Sequence, residues 1–243
     1  MKYALVTGST KGIGLSIGEG LMKAGYHIFF NHHSPISEES FKEFNEKIIS
    51  KNLDNYTLIK ADVSEVSCVD KIYNAVLEVT SHIDLIVFNA GATDRSSFQE
   101  ISFDNWLKVQ NISVNIPVFI LQKFFPILGE KSNIVFTGSL LGDIPHSTSL
   151  SYGVSKSAIH ALVKNLVKFM AKKEIRVNGV APGFIDTEWQ KTKAPELRKR
   201  IENKIALKKF GTPENVRDLV LHIIENDYIN GTVLKIDGGY SFQ

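Results

Sequence analysis

Tyr152 and Lys156 stand four residues apart in the run Tyr152-Gly153-Val154-Ser155-Lys156. On a helix that spacing puts a phenol and an ammonium on one face, about one turn apart. A free tyrosine has a pKa of about 10, too high for efficient proton exchange near neutrality. An adjacent ammonium stabilises the phenolate and draws that pKa toward working pH, which makes the pair a candidate acid–base group. Ser139, in Gly138-Ser139-Leu140-Leu141-Gly142, follows an apolar run, and its hydroxyl can hydrogen-bond a substrate oxygen. A tyrosine and a lysine at this spacing are common, so the pair alone carries little weight. A second feature, near the other end of the chain, supplies it.

The segment Thr7-Gly8-Ser9-Thr10-Lys11-Gly12-Ile13-Gly14 follows an apolar run at once and leads into a helical stretch. Glycines there permit a tight turn and let backbone approach a pyrophosphate. The helix N-terminus adds unpaired N–H groups and the positive end of its dipole. Glycine-rich turns also occur in ordinary strand–helix connections. Its place as the first such turn of an alternating chain favours a nucleotide.

The elements that must position these groups are legible as apolar runs at 3–6, 27–30, 56–59, 85–88, 133–136, 176–180 and 233–236. They are nearly continuous, as strands buried on both faces of a parallel sheet should be. Between them, Ser37 precedes a helix with Phe41, Phe44 and Ile48 on one face. Ser64 is expected to cap the next, with Val69, Ile72, Val76 and Val79 as its stripe. A helix over 152–173 carries Ala158, Leu162, Leu166 and Met170, and Thr212-Pro213-Glu214 reads as a cap, a first-turn proline and an acid. The alternation predicts an α/β fold: one Rossmann-type domain over 1–243, a doubly wound parallel sheet of seven strands with helices on both faces. A polar, Lys-rich stretch at 184–210 breaks the alternation. It is expected to be a lid-like insertion at the carboxyl edge of the sheet or a solvated helical excursion.

With 28 basic and 26 acidic residues the formal charge is +2, which gives no reason to expect nucleic acid or an anionic membrane as a partner. The single cysteine, Cys68, excludes an intrachain disulfide and a multi-cysteine metal site, and no metal is expected. It reads as a half-buried helix residue. There is no basic, apolar leader and no run of about 20 apolar residues, so a cytoplasmic protein is expected.

The spacing Thr-Gly-x-x-x-Gly-x-Gly resembles the nucleotide turn of the short-chain dehydrogenases/reductases, and Ser139, Tyr152 and Lys156 match that family's catalytic group. The resemblance implies that residues 8–14 bind NAD(P), that Asp62-Val63 contacts adenine, and that Asn89-Ala90-Gly91 completes the cofactor wall. Phe88 departs from the family's pattern, which has Asn there, as do a short connection after Ile223 and a short loop before Asn133. Asn111 would be a fourth catalytic member, holding a water that links Lys156 to solvent, or else a helix-interior amide bonded to backbone. Pro182-Gly183 would pack on the nicotinamide, with Ile185 and Thr187 at its carboxamide. Ile236-Asp237-Gly238-Gly239-Tyr240 resembles the family's closing strand and turn.

No acid stands in Asn31-His32-His33-Ser34, where NAD-preferring relatives accept the ribose hydroxyls. Lys11 and His33 would instead receive a 2′-phosphate, so NADP(H) is the implied cofactor, with NAD(H) the alternative. The chain looks most like the 3-oxoacyl-acyl-carrier-protein reductases of fatty-acid synthesis. The implied reaction reduces a carbonyl or thioester substrate, free or on an acyl carrier protein. Reduction of another ketone, sugar or quinone and a non-catalytic cofactor-binding regulator are the alternatives. Lys172 and Lys173, expected beside the site, would dock an acidic carrier or merely complement a helix end. The resemblance also implies a homo-oligomer, dimer or tetramer, pairing helices at 105–125 and 152–169. Trp189, His146 and Phe184 receive no contacts from sequence.

Overall fold

The computed structural model describes residues 1–33, 36–191 and 193–242. Ser34, at the expected ribose end, and Thr192, within the insertion, lie outside the described residues. The strands are β1 (Lys2–Val6), β2 (Tyr26–His32), β3 (Tyr56–Lys60), β4 (Ile83–Phe88), β5 (Leu128–Thr137), β6 (Arg176–Pro182) and β7 (Val233–Ile236). They form one parallel sheet in the order β3-β2-β1-β4-β5-β6-β7. The chain winds outward from β1 to β3, then crosses back to lay β4 beside β1. Crossovers leave the sheet in opposite directions at that pair, which opens a crevice at the strands' carboxyl ends.

The helices are α1 (Gly12–Lys23), α2 (Glu38–Lys47), α3 (Cys68–Leu77), α4 (Phe103–Gln110), α5 (Ile116–Phe124), α6 (Leu150–Met170), α7 (Glu188–Lys191), α8 (Pro195–Lys204) and α9 (Pro213–Glu225). Successive strand residues face opposite layers. Leu5 joins a core with Ile72, Val76, Phe124, Ile159 and Val163, beneath α3, α5 and α6. Ala4 and Val6 join Leu15, Leu21, Phe44, Val216 and Val220, beneath α1, α2 and α9.

Five local expectations are corrected. Ser64 does not cap α3: the Asp62 carboxylate accepts its N–H at 2.8 Å, turns occupy 62–67, and the helix opens at Cys68. Cys68 itself is fully buried, and burial pushes its thiol up to about 11. The helix expected over 105–125 is interrupted by a π-turn at Asn111–Asn115. Pro117 has no N–H to donate and would crowd the carbonyl four residues back, and the widened turn just before it relieves both. The stripe of α6 is shifted by one position at its start: Ile159 and Val163 are buried with Leu162 and Leu166 flanking them, while Met170 is buried as expected. Phe41 and Val79, expected on buried stripes, are exposed. The insertion carries a small core of its own, Ile201, Ile205 and Phe210 with Phe184, Leu197 and Tyr240.

α1 crosses β2 so closely that a Cβ on Gly18 would overlap the edge of the Phe30 ring. That ring is fully buried and meets Phe44 edge-on, with centroids 5.2 Å apart, so it has nowhere to go. Gly18→Ala is therefore expected to lower stability by about 1–3 kcal/mol in urea unfolding, although alanine is the better helix former. Unchanged or higher stability would refute this close packing.

Candidate active site

Hydrogen bonds from neighbouring strand ends hold the glycine turn. Thr7 Oγ1 accepts the N–H groups of Asn89 and Ala90, at 3.0 and 3.1 Å. The Asn89 amide donates back to the carbonyls of Thr7 and Gly8. On the other side Asn31, a buried polar residue near the end of β2, accepts from Gly8 N–H and donates to the Ala61 carbonyl at 2.9 Å. Ser9 Oγ takes the Asn31 N–H and donates to Val6 O. Gly8 has φ +59, and a Cβ there would stand 2.8 Å from Ala90 Cα, so the close approach requires glycine.

The first helical bond of α1 runs from Leu15 N–H to Lys11 O, so the opening N–H groups of the helix face the turn. No acid stands in its first turn, and Lys11 precedes it. This is a built seat for an anionic group, and the chemistry of a dinucleotide's phosphates fits it.

A cleft of about 570 Å³ runs from this turn along the carboxyl ends of the strands. One end is lined by Lys11, His33, Asp62 and Val63, the middle by Gly8, Thr10, Gly12, Ile13, Asn89, Ala90 and Gly91. The far end is lined by Ser139, Tyr152, Lys156, Pro182, Gly183, Ile185 and Thr187. Three expected residues stand behind the wall. Ser9 is buried in the bonds just described, and Gly14 packs where a Cβ would meet Asn89 Nδ2 at 2.5 Å. Asn111 sits in the π-turn, donating to Ser64 O at 3.1 Å and accepting from the Asn115 amide at 2.8 Å.

At the far end Tyr152 and Lys156 rise from the first turns of α6, which Ser149 caps. Ser139 ends the β5 segment, its hydroxyl accepting Leu141 N–H at 3.1 Å. Lys156 is 3% exposed, donates to Thr137 O at 2.7 Å, and its Nζ lies 5.4 Å from the centre of the Tyr152 ring. Burial brings the Lys156 ammonium down to about 8. Tyr152 does not follow the expectation of a lowered pKa. Burial raises it, and the neighbouring Ser139 hydroxyl pulls only partly the other way. The reason is shared: a low-dielectric wall disfavours the charged form of both groups.

Several lining residues were not anticipated: Ser37 and Ser40 beside His33, Lys108 and Ile112 one turn apart near Asp62, and Thr137, Trp189 and Gln190 at the far end. A polar residue ending a buried strand is a readable signal for Asn31 and Thr137. No local pattern marks Trp189, which the insertion brings within 6.1 Å of the Tyr152 ring. His146 also stands near the Tyr152 ring, centroids 6.4 Å apart, and Phe184 turns away into the insertion's core. Lys172 and Lys173 do not border the cleft. They lie in the 3-10 turn Ala171–Lys173 that follows α6, twenty residues and about 30 Å from Tyr152. Lys173 there donates to the carbonyls of Phe125 and Leu128. Phe88, where the family's pattern has Asn, stacks on Phe136 at 4.9 Å within the core.

A doubly wound sheet with a phosphate seat at its switch point and a serine–tyrosine–lysine group beyond it defines a dinucleotide-dependent oxidoreductase. The family model described as enoyl-(acyl carrier protein) reductase matches residues 8–241, and the chain belongs to the short-chain dehydrogenase/reductase family, NAD(P)-dependent enzymes of carbonyl and alcohol groups. It is 28% identical to 3-oxoacyl-[acyl-carrier-protein] reductase FabG of Aquifex aeolicus (strain VF5), over 98% of this chain and 96% of that one. It is 31% identical to glucose 1-dehydrogenase 2 of Bacillus subtilis (strain 168), over 98% and 94%. A short-chain dehydrogenase from Burkholderia cenocepacia J2315, solved in complex with NADP, superposes with a TM-score of 0.88 at 28% identity, covering 99% of this chain and 98% of the other. Among the described residues no helix is long and apolar enough to cross a membrane.

With a folded pKa near 8 against 10.5 for the free side chain, Lys156 binds fewer protons folded than unfolded between those values. Its burial cost is thus fully present below about pH 8 and relieved as pH rises toward 10.5, by about 3 kcal/mol at most. Lys156→Met is expected to remove this rise. Urea unfolding of both proteins from pH 8 to 10 should show the wild type gaining stability on the variant, and parallel curves would contradict a buried ammonium.

Proposed function

We propose that this protein is an NADPH-dependent carbonyl reductase whose substrate is a 3-oxoacyl thioester. The observation that carries the reading is the Tyr152 phenol, with the Ser139 hydroxyl beside it and the Lys156 ammonium over its ring, at one end of a cleft whose middle is lined by the glycine turn. NADPH, when bound, supplies the hydride. The residues do the rest. Ser139 holds the carbonyl oxygen, and Tyr152 gives it a proton as negative charge develops there. Lys156 steadies the phenolate left behind and holds the cofactor's ribose. Asn111 acts through the π-turn, on the path that returns the proton from solvent.

NADPH is favoured over NADH by Lys11 and His33 at the adenosine end, with the Ser37 and Ser40 hydroxyls beside them and no acid on the strand end. The thioester is favoured by the activity named for the FabG relative. A sugar or simple alcohol is the second reading, favoured by the glucose 1-dehydrogenase relative. In both, the 184–210 excursion acts as the lid that shapes the substrate end, with Trp189 facing Tyr152. The exposed Phe98, Phe103 and Phe119 around α4 and α5, and Val154 and Phe169 on α6, suit burial in a homo-oligomer.

NADPH consumption should be followed with acetoacetyl thioesters beside a panel of ketones and, in reverse, glucose. Turnover of the thioester supports the reading; activity on ketones or glucose alone transfers it to the second. Tight NADPH binding without any turnover would make the protein a regulator instead. Tyr152→Phe is expected to cut kcat by about 10²–10⁴-fold with NADPH affinity retained. Lys11→Ala should weaken NADPH by about tenfold and NADH little, the loss of one charge-assisted phosphate contact. Equal losses in fluorescence titration would refute that contact.

A further inference from the structure

One turn beyond Lys156, on the same face of α6, stands His160, a 7% exposed imidazole with no role in the chemistry above. Its surroundings are specific. Nδ1 lies 2.9 Å from Asp143 Oδ1. A Cβ on Gly138 would come within 2.5 Å of its Nε2, and one on Gly142 within 2.8 Å of its Cε1. These glycines bracket the turn that carries Ser139. The turn is thus folded around the imidazole, and only two residues without side chains let it close so tightly. Ser157, on α6 as well, donates to the Gly142 carbonyl at 2.6 Å and holds the other edge.

The protonation pattern follows from the partners. Burial would raise the Asp143 carboxyl, but the hydrogen bonds from the His160 ring and from Lys235, whose Nζ lies 3.2 Å from the other carboxylate oxygen, hold it below its usual range. An ionised carboxylate only accepts, so Nδ1 carries the hydrogen and donates. Nε2 is then turned toward Gly138, buried and without a hydrogen-bond partner among the described residues. The anchor reaches further through Lys235. That residue lies on β7 opposite Ala181, one step before the pair Pro182–Ile236, and Gly183 N–H donates to Ile236 O at 2.9 Å. The tyrosine helix, the serine turn and the Pro182-Gly183 wall are therefore joined through one carboxylate.

We propose that His160 is a positioning residue: fixed by Asp143, its ring sets where the Ser139 hydroxyl stands relative to Tyr152. This rests on the reading of Ser139 and Tyr152 as the groups that meet the carbonyl oxygen. His160 touches neither substrate nor cofactor; it acts through the serine turn. Tying the turn to the helix that bears Tyr152 and Lys156 makes the separation of hydroxyl and phenol a matter of one packed ring rather than loop equilibrium.

The test uses the full-length protein, with kcat expressed per NADPH-binding site so that unfolded material does not count. Asp143 is partly exposed, so its variants are safe for folding, and Asp143→Asn keeps an oxygen for the Nδ1 hydrogen. Asp143→Ala and His160→Ala are each expected to lower kcat about tenfold, the scale of a misplacement well under an ångström, with KM for the carbonyl and NADPH affinity within about threefold. Because they act as one unit, the double variant should be no worse than either single. Asp143→Asn should recover kcat to within about threefold of wild type. Wild-type kcat in Asp143→Ala, equal losses in the Ala and Asn variants, or additive losses in the double variant would each overturn the proposal. Tyr152→Phe at wild-type kcat would instead remove the reading of the site on which it rests.

Discussion

A lysine ammonium buried without a carboxylate is expensive, and the architecture around the cleft is organised to tolerate one. Among the described residues Lys156 is held by one backbone carbonyl, Thr137 O, and by the face of the Tyr152 ring. A carboxylate partner would lower the cost, but it would also neutralise the charge and leave little field for a ligand. Using a carbonyl dipole instead requires β5 to end at one place and α6 to begin at another, within hydrogen-bond reach. The parallel sheet delivers the first, the Ser149 cap the second. Because burial also raises Tyr152, the pair is poised in a dry wall where each added hydrogen bond or charge counts for more than it would in water.

The opposite end of the cleft follows the same logic with polar rather than charged groups. Thr7, Asn31 and Asn89 bond the glycine turn to three strand ends, so that its backbone conformation is set by the sheet and not by a ligand. Pre-organised N–H groups cost little ordering when an anion arrives. Serine at position 9 and glycine at position 14 serve this framework from behind, which is why residues of a nucleotide turn need not touch the nucleotide.

The two ends differ in how they are built. The cofactor end uses strand termini, whose places are fixed by the register of the whole sheet. The substrate end borrows Trp189 and Gln190 from an excursion with a separate small core. Family membership is written in the first, and relatives of the chain are named for different substrates.

Most of the scaffold was readable from local patterns, because buried parallel strands are continuous apolar runs and the helices between them carry periodic stripes. The glycine turn, Ser139, Tyr152 and Lys156 were readable for a related reason: each depends on contacts within about a turn of helix or a strand end. The misreadings at Ser64, the phenol's pKa and Lys173 have a common origin. A side chain's partner in each case came from elsewhere in the chain or from burial itself: Asp62 for the Ser64 N–H, desolvation for Tyr152, the Phe125 carbonyl for Lys173. The π-turn is the exception, since Pro117 stood in view and its effect depends on a carbonyl four residues back. Sequence by itself thus determined the sheet and the family, whose signals are short in range. Tertiary structure alone decided which side chains are dry, which are tethered and which face the cleft, because dielectric and proximity belong to the packed chain and to no segment of it.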